Sequence, residues 1–214
     1  TNNAKFADFF CVATVGTAQP KVWYVRNQNE LYVTFDLTNT GDPTGITSAT
    51  IGDNLNDPFT SIIEDKNGVL LIGTVHALYT YDGEGKVTRL TPVYQHKADS
   101  DAGAPTGVPT RPTNRNFENP VEINGRIYYI IEDYRIGEWD ADARTWTDGI
   151  QPSSVGDAPR LRLPVCCLAA VGTELFCFLG STNDSLLSQT NMPGGAVLIG
   201  NFNTVQGDVY VGKR

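Results

Sequence analysis

Short apolar segments separated by turn residues run through most of the chain. Residues 69–74 read VLLIGT, and ALYTYD follows at 77–82 after a short gap. Apolar runs of this length, bounded by Gly, Asn and Asp, are typical of β-strands. The polar stretches are rich in Thr, Asn, Asp and Gly, which are poor helix formers. The pattern therefore predicts an all-β protein.

One unit recurs along the chain: an apolar strand, a turn with a glycine, a second apolar strand and a further turn. Asn-Gly occurs in two of these turns and favours a type I′ hairpin, because both central residues need positive φ. A fifth, partial copy starts near Val205. The marker glycines of the four full copies lie about 50 residues apart, a spacing typical of propeller blades; they are Gly16, Gly68, Gly125 and Gly172.

A single antiparallel sheet cannot bury both of its faces, so the copies are expected to stack against one another. We therefore predict a β-propeller of four to five blades, with a β-sandwich or jelly roll as the alternative. The prediction for residues 1–214 is a single propeller domain or a fragment of one, with a long loop at 95–118 and a partial blade at 204–214. The other predicted blades cover residues 6–57, 58–94, 117–152 and 161–203.

The composition excludes several classes of protein. The chain has 214 residues, of which 40% are hydrophobic, so it can bury a core and is not disordered throughout. Its net charge is −8, and an acidic surface disfavours nucleic acid and anionic membranes as partners. No segment approaches the roughly 18 apolar residues of a membrane-spanning helix.

The four cysteines lack the paired spacing of zinc ligands, since Cys166 and Cys167 are adjacent and Cys11 and Cys177 stand alone. Most of them lie in apolar runs. We interpret them as small buried hydrophobic residues, with a disulfide as the alternative.

Catalytic motifs are scarce. The chain has two histidines, His76 and His96, and contains no nucleophile elbow, phosphate loop or zinc-protease motif. His76 lies in a turn between two strands, which favours a solvated or capping role. Paired carboxylates could still support glycoside hydrolysis. The candidates are Glu64, Asp65, Glu132 and Asp133, which we interpret as solvent-facing residues at strand ends and turns.

Two further groups of residues could bind ligands. A cluster of oxygen-bearing side chains offers hard ligands for Ca²⁺, although it lacks the glycine and distal Glu of an EF-hand loop, and Asx-turn chemistry also explains it. It consists of Asp53, Asn54, Asn56 and Asp57. Aromatic side chains could form a sugar-stacking platform, although core packing is the preferred interpretation. They are Trp23, Tyr24, Tyr128, Tyr129, Trp139 and Trp146.

Several of these segments carry a family resemblance. Residues 65–74, DKNGVLLIGT, followed by LYTYD at 78–82, resemble the repeat of sensor-type propellers, with Leu71 in place of the usual Trp. The third copy, from Asn124 to Ile130, is similar to a kelch-type blade without its double glycine. Mixed blades of this kind also resemble the propeller domains in tail and nozzle components of tailed bacteriophages.

The resemblance implies a propeller and leaves its function open, because propellers carry unrelated activities. We expect a non-enzymatic structural or interaction module that binds other chains of an assembly as an oligomer, such as a bacteriophage virion or tail component. One alternative is a carbohydrate-binding or glycan-cleaving propeller, with glycan as its partner. The other is an extracellular or secreted sensor domain. No cofactor is expected.

Overall fold

The computed structural model describes residues 7–16, 19–35, 41–51, 57–94, 116–131, 135–150, 165–179 and 195–201. These residues form fifteen β-strands and one single-turn helix, arranged in four antiparallel sheets. The chain divides into two compact units. Unit 1 comprises residues 1–94 and 116–118, and unit 2 comprises 95–115 and 119–214.

Unit 1 contains two four-stranded sheets in which consecutive strands pair. Sheet 1 consists of β1 (Phe9–Ala13), β2 (Lys21–Arg26), β3 (Glu30–Thr34) and β4 (Asp42–Thr47), followed by helix α1 (Ser48–Ile51). Sheet 2 consists of β5 (Phe59–Glu64), β6 (Leu70–Thr74), β7 (Leu78–Tyr81) and β8 (Val87–Arg89).

Unit 2 repeats the same meander. Sheet 3 has four strands, β9 (Val121–Ile123), β10 (Arg126–Ile131), β11 (Arg135–Asp140) and β12 (Thr145–Ile150). The described part of sheet 4 has three, β13 (Val165–Val171), β14 (Glu174–Leu179) and β15 (Gly195–Asn201). The all-β, antiparallel prediction is therefore confirmed. The blade limits stay predictions, and residues 204–214 and most of 95–118 lie outside the described residues.

The marker glycines occupy the same place in each sheet, the turn between its first and second strands. All four have positive φ, a conformation that glycine adopts without steric cost. The values are 64° for Gly16, 75° for Gly68, 77° for Gly125 and 62° for Gly172. The sequence repeat thus reflects a repeated backbone requirement.

The core of unit 1 lies between sheets 1 and 2. Trp23 and Val25 of β2 share one buried cluster with Leu70 and Ile72 of β6. Trp23 meets Tyr81 edge to face, with ring centroids 5.7 Å apart. Such aromatic pairs add about 1 kcal/mol beyond the burial of their area, so this pair helps to hold the two sheets together.

The core of unit 2 lies between sheets 3 and 4. Tyr128, Ile130 and Ile136 of sheet 3 pack with Leu168 and Leu175 of sheet 4. Cys177 of β14 is fully buried in the same cluster. Three described cysteines form no disulfide: Cys11, Cys167 and Cys177.

No helix in the described ranges is long and apolar enough to cross a membrane.

Candidate functional site

Asp65, a predicted catalytic candidate, closes the turn between β5 and β6. Its Oδ1 accepts hydrogen bonds from the backbone N–H groups of Asn67 at 2.9 Å and Val69 at 3.1 Å. The residue is only 4% exposed, so the prediction that it faces solvent is wrong. The carboxylate satisfies backbone donors that the tight turn cannot pair within the sheet. Asp65 therefore has a structural role.

The same arrangement recurs at the turn between β7 and β8. Oδ1 of Asp82 accepts hydrogen bonds from Glu84 N–H at 2.8 Å and Lys86 N–H at 3.1 Å. In both turns an Asp is followed three positions later by a glycine with positive φ, Gly68 or Gly85. The spacing Asp-x-x-Gly therefore marks this turn in the sequence.

Glu64, the neighbour of Asp65, connects the two sheets of unit 1. Its Oε1 accepts hydrogen bonds from the backbone N–H of Thr14 at 2.6 Å and from its hydroxyl at 2.7 Å. Thr14 directly follows β1, so this contact joins β5 of sheet 2 to sheet 1. The nearby Cys11 thiol has its pKa raised to about 12, first by burial and then by the negative charge of Glu64. Glu64 and Asp65 thus bind different structural partners and do not form an acid–base pair.

A second contact fastens the same two sheets. The β1–β2 turn meets the β7–β8 turn through Gly16 and Gly83, whose backbones touch. A Cβ atom added to Gly83 would lie 2.5 Å from the Cα atom of Gly16. Only residues without a side chain permit this approach.

Asp57, a predicted metal ligand, instead pairs with His76. Its Oδ1 lies 3.0 Å from His76 Nδ1 and accepts a hydrogen bond from the backbone N–H of His76 at 3.2 Å. The side chain of Asp57 is 3% exposed and that of His76 is 16% exposed. A carboxylate this deeply buried needs a partner, and the imidazole provides one. The described contacts of the Asp57 carboxylate are therefore with a residue of another segment.

The turn that carries His76, between β6 and β7, is fixed from three sides. Val75 N–H donates to Pro58 O at 3.1 Å, and Tyr94 N–H donates to His76 O at 2.8 Å. The Nδ2 atom of Asn116 donates to Val75 O at 2.6 Å. We call this turn and its partners the His76 anchor. It joins segments before β5, after β8 and at the return of the chain to unit 1.

A third charged group lies on sheet 3 in unit 2. Arg126 Nη1 lies 2.9 Å from Glu138 Oε1, and its Nη2 lies 3.3 Å from Asp140 Oδ2. Arg126 stands directly opposite Asp140 on the paired strands, and Tyr128 stands opposite Glu138. Burial and the charge of Glu138 raise the pKa of Tyr128 above its usual range. One guanidinium thus offsets two half-buried carboxylates, as expected for a cross-strand cluster.

Several of the predicted catalytic and metal-binding residues lie outside the part of the chain that the structure describes. Glu132, Asp133, Asp53, Asn54 and Asn56 lie outside the described residues, so their roles stay predictions. Within the described part of the chain, no group of three or more His, Cys, Asp or Glu side chains is placed to hold a metal ion.

The aromatic candidates belong to the core. The structure buries Trp23, Tyr24, Tyr128, Tyr129 and Trp139, which confirms the packing interpretation for them. Trp146 is half-buried, and its ring centroid lies 6.1 Å from that of Tyr129. These side chains therefore stabilise the sheets.

A few large apolar side chains, in contrast, are mostly exposed to solvent. Phe10 is 68% exposed and Val12 is 60% exposed, on the same face of β1. Their neighbour Cys11 points the other way and packs against the core of unit 1. Phe35, which follows β3, is 65% exposed. Exposed apolar pairs of this kind are candidates for contact with another protein.

Comparison with known proteins shows the fold and no family. No protein-family model matches the chain, and no curated protein matches its sequence. The extracellular domain of a hybrid two-component system from B. thetaiotaomicron is similar in structure, with a TM-score of 0.53 and 10% identity. That similarity covers 89% of this chain and 22% of the other.

Two further solved structures are similar at lower TM-scores. Virginiamycin B lyase from Staphylococcus aureus has a TM-score of 0.48 and 9% identity, covering 78% of this chain and 47% of that one. YCF48 from Cyanidioschyzon merolae has a TM-score of 0.43 and 13% identity, covering 75% and 50%. This chain thus spans half or less of the length of each of these three structures. The similarity to the extracellular domain, together with the four-stranded meanders, shows that the chain has a propeller-type fold.

Proposed function

We propose that the chain is a non-enzymatic interaction module, a propeller-type component of a larger protein assembly. The strongest support is that each candidate carboxylate in the described part of the chain binds a structural partner. Glu64 binds Thr14, Asp65 closes a turn and Asp57 pairs with His76. Hydrolysis by paired carboxyl groups requires both to face one substrate. These three carboxylates face three different structural partners.

The assembly partner is another protein chain, and β1 is the surface that meets it. Phe10 and Val12 expose apolar area on the first strand of sheet 1, whereas the other strands of unit 1 bury most of their apolar side chains. A tailed-bacteriophage virion or tail is the kind of assembly that the sequence resemblance suggests. Burial of this apolar pair against a partner would be favourable by about 25 cal/mol per Å².

Light scattering and sedimentation over a wide range of protein concentration test this proposal. We expect a mass above that of one chain, and we expect Phe10→Ser combined with Val12→Ser to reduce it. Phe35→Ser is the matched control, because it removes an equally exposed aromatic side chain from another position. A single-chain mass at every concentration, or an equal effect of the control, would count against the assembly role.

An extracellular sensor domain is the second candidate function. It is favoured by the structural similarity to the extracellular domain of a two-component system, together with the sensor-type repeat at residues 65–82. A ligand that binds only the folded state raises the unfolding midpoint with concentration. Thermal unfolding with panels of oligosaccharides and of peptides tests this function, and the first panel also tests the carbohydrate-binding alternative. A midpoint unchanged by every member would argue against both.

A further inference from the structure

The chain leaves sheet 2 after Tyr94 and returns to unit 1 at Asn116, and both points are fastened to one turn. Tyr94 N–H donates to His76 O at 2.8 Å, and Asn116 Nδ2 donates to Val75 O at 2.6 Å. The rings of Tyr94 and Phe117 lie 5.7 Å apart, centroid to centroid. The β6–β7 turn therefore sets the position of both points.

One of the contacts that hold the β6–β7 turn, between Asp57 and His76, involves titratable side chains. Asp57 Oδ1 lies 3.0 Å from Nδ1 of His76 and also accepts the backbone N–H of the same residue. Imidazole gains its charge near neutral pH, within the range that proteins meet in cells and outside them. Protonation converts the contact from a hydrogen bond of a neutral ring into an ion pair, and hydrogen bonds between charged groups are the stronger kind.

The imidazole lies beside a buried carboxylate. The described segments that bond the turn or adjoin those bonds, residues 57–58, 89–94 and 116–118, carry the ionisable residues Asp57, Arg89, Tyr94 and Glu118. Asp57 is the one whose carboxylate lies within hydrogen-bonding distance of the ring. Its side chain is 3% exposed, so solvent and salt screen the pair little. The contact therefore joins a buried carboxylate to a ring that is 16% exposed.

We propose that the pair of His76 and Asp57 is a pH-sensitive clasp on the His76 anchor. Protonation of His76 tightens the clasp, and the tighter turn holds Tyr94 and Asn116 more firmly. As the pH rises and the ring loses its charge, the same contacts open more often. The clasp rests on contacts within unit 1 and is independent of the proposed function.

Amide hydrogen exchange of the whole chain tests the clasp directly. The readout is the protection of the Val75, His76 and Tyr94 amides, corrected for the intrinsic effect of pH on exchange. We expect about fivefold greater protection near pH 6 than near pH 8, the difference between a charged and a neutral hydrogen bond. Equal protection at the two pH values in the wild-type chain would overturn the proposal.

Two variants assign the effect to one ring. His76→Asn keeps an N–H donor near the position of Nδ1 but cannot gain charge, so we expect its protection to be the same at both pH values. His96→Asn is the matched control, because it removes the only other imidazole of the chain. Its pH dependence should match that of the wild type. Persistence of the effect in His76→Asn, or its loss in His96→Asn, would refute the clasp.

A measurement on the wild-type chain covers the case in which His76→Asn fails to fold. Nitrogen-15 NMR of the imidazole distinguishes the two neutral tautomers and the charged ring. We expect hydrogen on Nδ1 near pH 8 and on both nitrogens near pH 6. A neutral ring with its hydrogen on Nε2 would contradict the donor role that the clasp requires.

Discussion

Sheets 1 and 2 of unit 1 have the same four-stranded meander but differ in how they are buried. In β6 of sheet 2, Leu70, Leu71 and Ile72 are all fully buried. Successive strand residues point to opposite faces, so both faces of sheet 2 are covered at this strand. In β1 of sheet 1, Phe10 and Val12 are mostly exposed. One face of sheet 1 is therefore open at its first strand.

The difference shows what an apolar run does and does not indicate. Both strands are nearly continuous in apolar residues, FFCVA in β1 and LLIGT in β6. Such a run is typical of a strand buried on both faces. In β6 this holds, whereas β1 alternates between half-buried and exposed positions up to the buried Ala13 at its end. An apolar strand with an open face is therefore a candidate for contact with another chain.

The largest expected effect is a difference in the free energy of unfolding between a variant of β6 and a variant of β1. Leu71→Ala should lower the free energy of unfolding by about 3 kcal/mol, because it leaves a cavity in a covered face. Phe10→Ala should change it by about 0.5 kcal/mol or less, since the ring is mostly in solvent. Urea unfolding of both variants measures the difference. Equal losses would mean that the open face of β1 is covered in solution.

The next effect concerns the point where the two sheets touch. Gly83→Ala should cost about 2 to 3 kcal/mol, because the new Cβ meets the backbone of Gly16 and φ is positive. Gly85→Ala is the matched control, with a similarly positive φ of 99° but no heavy atom within 4 Å of the added Cβ. It should cost about 1 kcal/mol from backbone strain alone. Equal unfolding free energies for the two variants would rule out the close approach of the turns.

A smaller effect separates the two Asp turns of sheet 2. Asp65→Ala removes a 4% exposed carboxylate that accepts two backbone N–H groups and should cost about 1.5 kcal/mol. Asp82→Ala removes the equivalent bonds from an exposed turn, where water replaces them, and should cost about 0.5 kcal/mol. Thermal unfolding of the pair provides the test. A larger loss for Asp82→Ala would show that burial is not what distinguishes these turns.

The smallest effect is the influence of Glu64 on sheet 1. Because folding raises the Cys11 pKa from 9.0 to about 12, the thiol favours the fold at pH below about 9. This contribution is lost as the pH rises from there toward 12. Glu64→Gln removes one cause of the raised pKa, so Cys11 should be alkylated faster than in the wild type between these pH values. Peptide mass spectrometry follows this residue separately, and an unchanged rate would exclude an electrostatic effect of Glu64.

The hairpins of this protein were the part most open to prediction from sequence. Asn124-Gly125 and Asp65-x-x-Gly68 impose positive φ and a local hydrogen-bond pattern, so a few adjacent residues carry the information. The cross-strand pair of Arg126 and Asp140 also follows once the hairpin register is known. Contacts between distant segments had no such local signal. Glu64 and Thr14 are 50 positions apart, and the sequence does not indicate that they meet.

The sequence alone determined the class of fold, since turn residues and apolar strands act over a few positions and repeat along the chain. Only the tertiary structure decided which carboxylates are buried, as it placed Asp57 beside His76 and Asp65 inside its turn. It also decided which apolar strand stays open. The physical reason is that burial depends on what packs against a residue, and that partner comes from a distant part of the chain.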